Sequence, residues 1–268
     1  MYMLKIARED AKDILLCNWR AHPTVTGGST KLNVSGDYVA VLRQQIEKES
    51  DCLFAYFQGE AGNQNPRTRM DSTFEYNPPS ENKAYGKEMS DKINAAYASI
   101  EWENIPTGRI YTLHENKECN VNHAFDGYYT EAVAIVQAWT ANGWTSDITT
   151  MLQNAGLFSP YQCNAIATRK AAGKTAPDSL HATVIGDLII TNEMSEMFDT
   201  NGTFVRDNSP SKYTLVMSYT DGNGYIPSQF AYEYGCYEAD TGRFEAGTGE
   251  ILAKRLVEMA QEVWKETH

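Results

Sequence analysis

Asp13-Ile-Leu-Leu-Cys-Asn-Trp19 runs into Arg20-Ala-His22-Pro23-Thr24; Ser35-Gly-Asp37 then precedes Val39, Leu42 and Ile46. Cys52-Leu-Phe-Ala-Tyr-Phe57 follows and opens into Gln58-Gly-Glu-Ala-Gly-Asn-Gln-Asn-Pro-Arg67. The two apolar runs are too short for helices and have the length of buried strands. Between them Asp37 supplies a helix start, the apolar residues recur at helical spacing, and Glu47-Lys-Glu49 falls on the outer face. This is a strand–loop–helix–strand–loop unit and predicts an α/β protein.

Outward from that unit, residues 70–84 are polar and contain proline, which predicts a surface excursion. Met89, Ile93, Ala96, Tyr97 and Ile100 mark an amphipathic helix. Arg109-Ile-Tyr-Thr-Leu113 alternates like a strand, and helical patterns return over 128–142, 145–154 and 161–172. Ala182 through Ile190 reads as strand with a turn or bulge at Gly186-Asp187, and Tyr213-Thr-Leu-Val-Met217 as another. A last helix over 248–265 is apolar at Leu252, Leu256, Met259 and Val263. With no repeat and no linker-like composition, residues 1–268 are expected to form one domain: a mixed β-sheet core with flanking helices.

The 23 Lys and Arg against 35 Asp and Glu give a net charge of −12, which disfavours nucleic acid and anionic membranes as partners. No apolar run approaches the ~20 residues of a transmembrane segment. Met1 through Asp10 lacks the basic-then-apolar pattern of a signal peptide, so the cytoplasm is expected. Cys17, Cys52, Cys119, Cys163 and Cys236 are scattered without a CxxC pair, suiting buried thiols in a reduced compartment.

Four apolar strands empty into polar or glycine-rich loops carrying His22, the 58–67 segment, Glu196 and Tyr225, where α/β proteins assemble sites. Taken singly, these residues also read as an ordinary loop histidine and solvated charges. The tyrosines Tyr219, Tyr225, Tyr232, Tyr234 and Tyr237 read first as packing surface. No HExxH, GxSxG or phosphate-loop motif occurs, and Glu60 sits inside Gly59-Glu-Ala-Gly62.

The order of the pieces resembles the neutral/alkaline ceramidase family. Asn18-Trp-Arg-Ala-His22-Pro23-Thr24 is similar to its His-Pro-Thr strand end, and Val34-Ser-Gly-Asp37-Tyr38 to its Ser-x-Asp helix start. Phe57-Gln-Gly-Glu-Ala-Gly62-Asn-Gln-Asn65-Pro66-Arg67 is similar to its Gly-x-x-Gly-Asp-x-(Ser/Asn)-Pro loop. Ile185-Gly-Asp-Leu-Ile-Ile-Thr-Asn-Glu-Met-Ser-Glu196 resembles its Ile-Gly-Asp strand leading to Pro-x-Glu. Ser218-Tyr-Thr-Asp-Gly-Asn-Gly-Tyr225-Ile-Pro227, ending at Tyr237-Glu238, resembles its tyrosine-rich segment.

The resemblance implies a zinc-dependent amidase. His22, Glu196 and Tyr225 carry over as metal ligands, Tyr237 as a hydroxyl for a developing oxyanion, and Asn65 stands where ceramidases proper have serine. Zinc would lower the pKa of a bound water to ~7 and polarise an amide carbonyl of a small N-acyl substrate. Two departures bear on this. Asn63 replaces the family's Asp, and the family's second zinc-binding histidine lies in a His-x-His half preceding this strand. Self-association or a separately encoded partner contributing that half is therefore expected, with His114, His123 or His181 as in-chain substitutes. Two rivals stay open: a non-catalytic or partner-dependent domain that binds a ligand, and a sugar- or peptide-binding module using the 219–237 surface.

Overall fold

The structure, a computed structural model, describes residues 1–26, 34–66, 79–106, 108–220, 222 and 224–268, with positions 79–82 described by backbone alone. Leu15, Leu16 and Cys17 lie at the centre of β2 (Ile14–Trp19), a strand buried on both faces. It pairs in parallel with β3 (Leu53–Gln58) and antiparallel with β1 (Tyr2–Ile6). The crossover between the parallel strands is α1 (Asp37–Glu49), which buries Leu42 and Ile46 as the sequence spacing predicts, but Tyr38 in place of the half-buried Val39. Two features depart from the reading of this unit: β1 is an added edge strand whose residues are half-exposed, and β3 leaves Leu53 and Phe57 exposed rather than buried.

Against α1 lies α2 (Pro79–Ser99), so the expected surface excursion over 70–84 ends earlier: 79–84 are helical, and 70–78 fall outside the described residues. The contact needs a glycine. A Cβ at Gly86 would sit 2.6 Å from Val41 Cβ and 3.2 Å from the Tyr38 carbonyl.

A second sheet has the order β4–β5–β6–β8, formed by β4 (Ile110–Asn120), β5 (Thr175–Ile185), β6 (Leu188–Glu193) and β8 (Tyr213–Met217). β5 and β6 form the antiparallel pair expected around Gly186-Asp187. Three helices lie between β4 and β5 in sequence: α3 (Tyr129–Asn142), α4 (Ser146–Ala155) and α5 (Pro160–Ala171). They form their own apolar cluster around Ile135, Ile148 and Ile166. The main core packs Leu180, Ala182, Val184 and Ile189 of this sheet against Leu252, Leu256, Met259 and Val263 of α9 (Thr248–Lys265). All four residues marking that last helix in the sequence are buried.

The sheets meet through buried Asn18, whose amide donates to the carbonyls of Phe57 (3.3 Å) and Val216 (3.1 Å). Ser218 N adds a bond to Gln58 O at 3.1 Å. The ends of β2, β3, β6 and β8 are thereby gathered at one edge, where the site lies. Mixed α/β architecture is the fold class that the sequence predicts. Among the described residues no helix is long and apolar enough to cross a membrane, and all five cysteines are free thiols, four of them buried.

Alanine for glycine inside a helix ordinarily stabilises by about 1 kcal/mol. Gly86→Ala is expected to destabilise instead, by about 1–3 kcal/mol, because neither Val41 Cβ nor the Tyr38 carbonyl can swing aside. The midpoint of urea unfolding reads the sign directly.

Candidate functional site

His22 leaves β2 in a buried turn and is 7% exposed. Its backbone N–H donates to Gln64 O at 2.9 Å, tying the turn to the loop after β3. That loop in turn sits on the short strand β7 (Glu196–Met197) through Gly62 N to Met197 O at 2.9 Å. A Cβ on Gly62 would lie 2.4 Å from the Glu196 carbonyl oxygen, so glycine is what permits the approach. β7 pairs in parallel with β9 (Tyr225–Ile226), which sets Glu196 directly beside Tyr225.

The three residues expected as ligands therefore converge from loops far apart in sequence. His22 Nε2 is 3.6 Å from Glu196 Oε2, and the His22 and Tyr225 rings meet edge-on at 6.4 Å. Tyr237, the first residue of the short helix α8 (Tyr237–Thr241), packs edge-on against Tyr225 at 5.9 Å and is partly exposed. Asn65 is exposed on the 58–67 loop, one residue beyond the bond that joins it to His22.

The sequence reading missed the role of Tyr219. Its hydroxyl lies 2.6 Å from His22 Nδ1 and donates to Glu196 Oε2 at 2.7 Å. A tyrosine has one hydroxyl hydrogen. With that hydrogen on Glu196, His22 Nδ1 must be the protonated nitrogen, which leaves Nε2 as the lone-pair nitrogen. Tyr219 also has φ +64°, unfavourable for a residue with a Cβ, and Tyr219 N to Ser195 O at 3.1 Å helps hold it there. A tyrosine two residues past a buried strand and ahead of a glycine-rich turn was the one available signal. The 219–237 tyrosines are thus not one packing surface. Tyr219 and Tyr225 reach His22, Tyr232 donates to Phe244 O at 2.8 Å, and Tyr234 is exposed.

Burial lifts the Glu196 carboxyl above the usual glutamate range, and hydrogen bonds from Tyr219 and Tyr225 pull it back. Burial, and then the Glu196 charge, raises both tyrosine hydroxyls. Near this edge, on β5 and at the end of β6, Asp178 and Glu193 are fully buried. Burial raises Asp178 to about 6, and burial plus the Asp178 charge raises Glu193 well above its ordinary value. Ser195 joins them, donating from N to Glu193 Oε1 (2.8 Å) and from Oγ to Asp178 Oδ2 (3.2 Å).

Other histidines do not join the site. His114 stacks on His181 at 4.4 Å across β4 and β5, and His123 contacts Asp126 and Gly173 O. Among the described residues no group of three His, Cys, Asp or Glu is placed to hold a metal. The donor set at the edge is His22 and Glu196 with tyrosine hydroxyls. Two atoms bound to one zinc at ~2.0–2.1 Å in tetrahedral geometry lie roughly 3.4 Å apart, near the 3.6 Å between His22 Nε2 and Glu196 Oε2.

Asn63 has a structural reason. It donates from Nδ2 to Asp199 Oδ1 (2.7 Å) and accepts from Asp199 N (3.0 Å), while Gln64 Nε2 donates to Asp199 Oδ2 (2.9 Å). An aspartate at 63 would meet the Asp199 carboxylate with like charge. Glu60, which excludes a phosphate cradle, is buried between Arg20 (2.6 Å) and Arg206 and fastens the loop to α6 (Asp199–Asn208).

Neither protein-family models nor curated protein sequences match the chain. Solved structures do. Neutral ceramidase from Pseudomonas aeruginosa matches with a TM-score of 0.64 at 15% identity, over 96% of this chain and 44% of that one. A ceramidase complexed with C2 matches with a TM-score of 0.59 at 14% identity, over 96% of this chain and 46% of that one. The fold is therefore ceramidase-like, and the chain spans less than half the length of these neighbours.

The buried carboxyl pair fixes a pH dependence. Ordinary carboxyls of an unfolded chain lose their protons near pH 4, whereas Asp178 holds its own to about 6 and Glu193 higher. Between those limits the folded state binds more protons, so the pair's contribution is full below about pH 4 and is lost as pH rises through 6. Glu193→Gln is expected to flatten this slope, read as a smaller loss of urea midpoint between pH 5 and pH 8 than in the parent. Parallel slopes would show that the pair does not titrate in this window.

Proposed function

We propose that the chain carries a zinc-dependent amide hydrolase site, with a small N-acyl compound as substrate. What supports this is the meeting of His22, Glu196 and Tyr225 from three separate loops, at one edge of a ceramidase-like fold. His22 Nε2, Glu196 Oε2 and the Tyr225 hydroxyl would hold the metal, and a further donor would come from beyond the described residues, a second chain being one source. Zinc held there supplies Lewis-acid polarisation of a carbonyl and a hydrolytic nucleophile at neutral pH.

The protein's own side chains do the rest. Tyr219 fixes the His22 tautomer and turns the Glu196 carboxylate, the part played by partners behind metal-bound histidines. Tyr237, edge-on against Tyr225 and partly exposed, offers a hydroxyl to a developing oxyanion. Asn65 occupies the loop position of the family's serine and supplies an amide in its place. Beside Tyr219 a mainly apolar cavity of about 590 Å³, bordered by Val39, Phe57 and Met217, suits the acyl group.

A second reading is a ligand-binding domain without turnover. It is favoured by the lack, among the described residues, of a third conventional ligand beside His22 and Glu196.

Zinc titration of the purified chain is expected to show saturable binding near ~1 equivalent. His22→Ala and Glu196→Ala are expected to lose most of it, and Tyr219→Phe to weaken it by about 10–100-fold. Tyr237→Phe should keep the metal and lower kcat by roughly 10²–10³ across a panel of N-acyl amides. Metal binding without turnover of any panel member would leave the second reading. Retention of full zinc by His22→Ala would end the metal-site assignment.

A further inference from the structure

Edge-on aromatic contacts continue from Tyr225 through Tyr237 to Tyr161 (6.3 Å) and Trp139 (5.1 Å), with interplanar angles of 77°, 83° and 68°. Each ring therefore stands across the next instead of lying along it. Three of the four, Tyr161, Tyr225 and Tyr237, line a second cavity of about 560 Å³. Tyr225 places this cavity beside the candidate metal site, whereas the first cavity reaches that site at Tyr219. Tyr161 is 51% and Tyr237 41% exposed, so the protein's own side chains do not close over these rings.

The rest of the wall is mostly small. Along α5 the lining positions recur at helical spacing, and after Tyr161 they include Ala165, Thr168 and Ala172. Gly222 and Gly224 also line the cavity, and among the described residues no atom lies within 4 Å of where a Cβ would stand on either.

The polar groups of the lining are largely spent on the protein itself. Thr168 Oγ1 donates to Asn164 O at 2.8 Å and Thr241 Oγ1 to Tyr237 O at 2.7 Å, each within its own helix. Arg169 is buried and donates from Nη1 to the carbonyls of Asp240 (3.0 Å) and Gly242 (2.5 Å). The charge of Arg243 acts on buried Asp178, and Tyr225 bonds to Glu196. A sugar carries a hydroxyl on nearly every carbon and would find few partners here. A flat hydrocarbon ring needs none: its edge hydrogens meet one tyrosine face while its own face meets the edge of another.

We infer that this cavity takes an aromatic ring, and that the substrate of the adjoining site is an N-acyl compound bearing such a ring on its amine side. The second clause rests on the amidase reading, in which the acyl group occupies the cavity beside Tyr219. The ring cavity itself stands on the three tyrosines, the small wall between them and the committed polar groups.

The test uses N-benzylacetamide and its saturated counterpart N-(cyclohexylmethyl)acetamide, titrated calorimetrically into the full chain and into His22→Ala, with N-acetylglucosamine as a sugar probe. In both proteins the benzyl compound is expected to bind at least about threefold more tightly than the saturated one, and the sugar more weakly than either. Tyr161→Leu is expected to remove the preference. Ala165→Phe, which fills the cavity, is expected to weaken benzyl binding by at least about tenfold. Circular dichroism checks that the Ala165 variant folds; if it does not, Tyr161→Leu, at an exposed position, carries the decision. Equal affinity for the two ring compounds, no binding of either, tighter binding of the sugar, or a preference unchanged in Tyr161→Leu would overturn the inference. A preference lost in His22→Ala would overturn it too, since the ring would then be bound at the metal site. A preference kept in His22→Ala while zinc fails to bind the parent chain would sink the amidase reading and leave the ring cavity standing.

Discussion

The site depends on the contact of one loop with two others. Residues 59–65 lie between the turn after β2 and strand β7, fixed by His22 N to Gln64 O and by Gly62 N to Met197 O. Glu60, buried between Arg20 and Arg206, secures the base of the loop, and Asp199 secures its tip through Asn63 and Gln64. Each of these is a bond between segments more than a hundred residues apart, except those to His22 and Arg20. Remove the close approach at Gly62 and Glu196 has no reason to stand beside His22, because the backbone carbonyl of Glu196 itself occupies the space a Cβ would need.

Electrostatics then divides the edge of the sheets into layers. Deepest are Asp178 and Glu193, two buried carboxyls whose raised proton affinity lets them share one face of Ser195. Above them Glu196 faces His22 with Tyr219 and Tyr225 donating to it. The cavities lie to either side, one mainly apolar behind Tyr219 and one bearing Arg169 and Arg243 beyond Tyr225.

The strain at Tyr219 belongs to this arrangement. A left-handed φ on a tyrosine persists only where the surroundings over-determine it. Here the Ser195 carbonyl holds its amide, while His22 and Glu196 hold its hydroxyl. The residue is fixed at both ends, and the histidine it fixes presents the nitrogen suited to a ligand.

The sequence by itself determined the elements whose physics is local. The apolar run at 13–19 and the face of the 248–265 helix state which side is buried, and both are found as read; the run at 52–57 is a strand but leaves Leu53 and Phe57 exposed, and after Asp37 the helix buries Leu42 and Ile46 with Tyr38 rather than Val39. The collinear motifs also named His22, Glu196, Tyr225 and Tyr237, which the fold brings to one edge. Elements without a local signature were not legible. The edge strand β1 is only five residues long and half-exposed, and the part of β4 from His114 through Lys117 is polar and alternates between exposed and half-buried positions without an apolar face. Helix α6 buries little beyond Asn201, Gly202 and Val205, and its Gly202 yields space to Glu60, a partner 142 positions away. Tyr219 escaped for the same reason. A tyrosine in a chain says nothing of what its far end touches, and only packing decided that one hydroxyl would bridge His22 and Glu196.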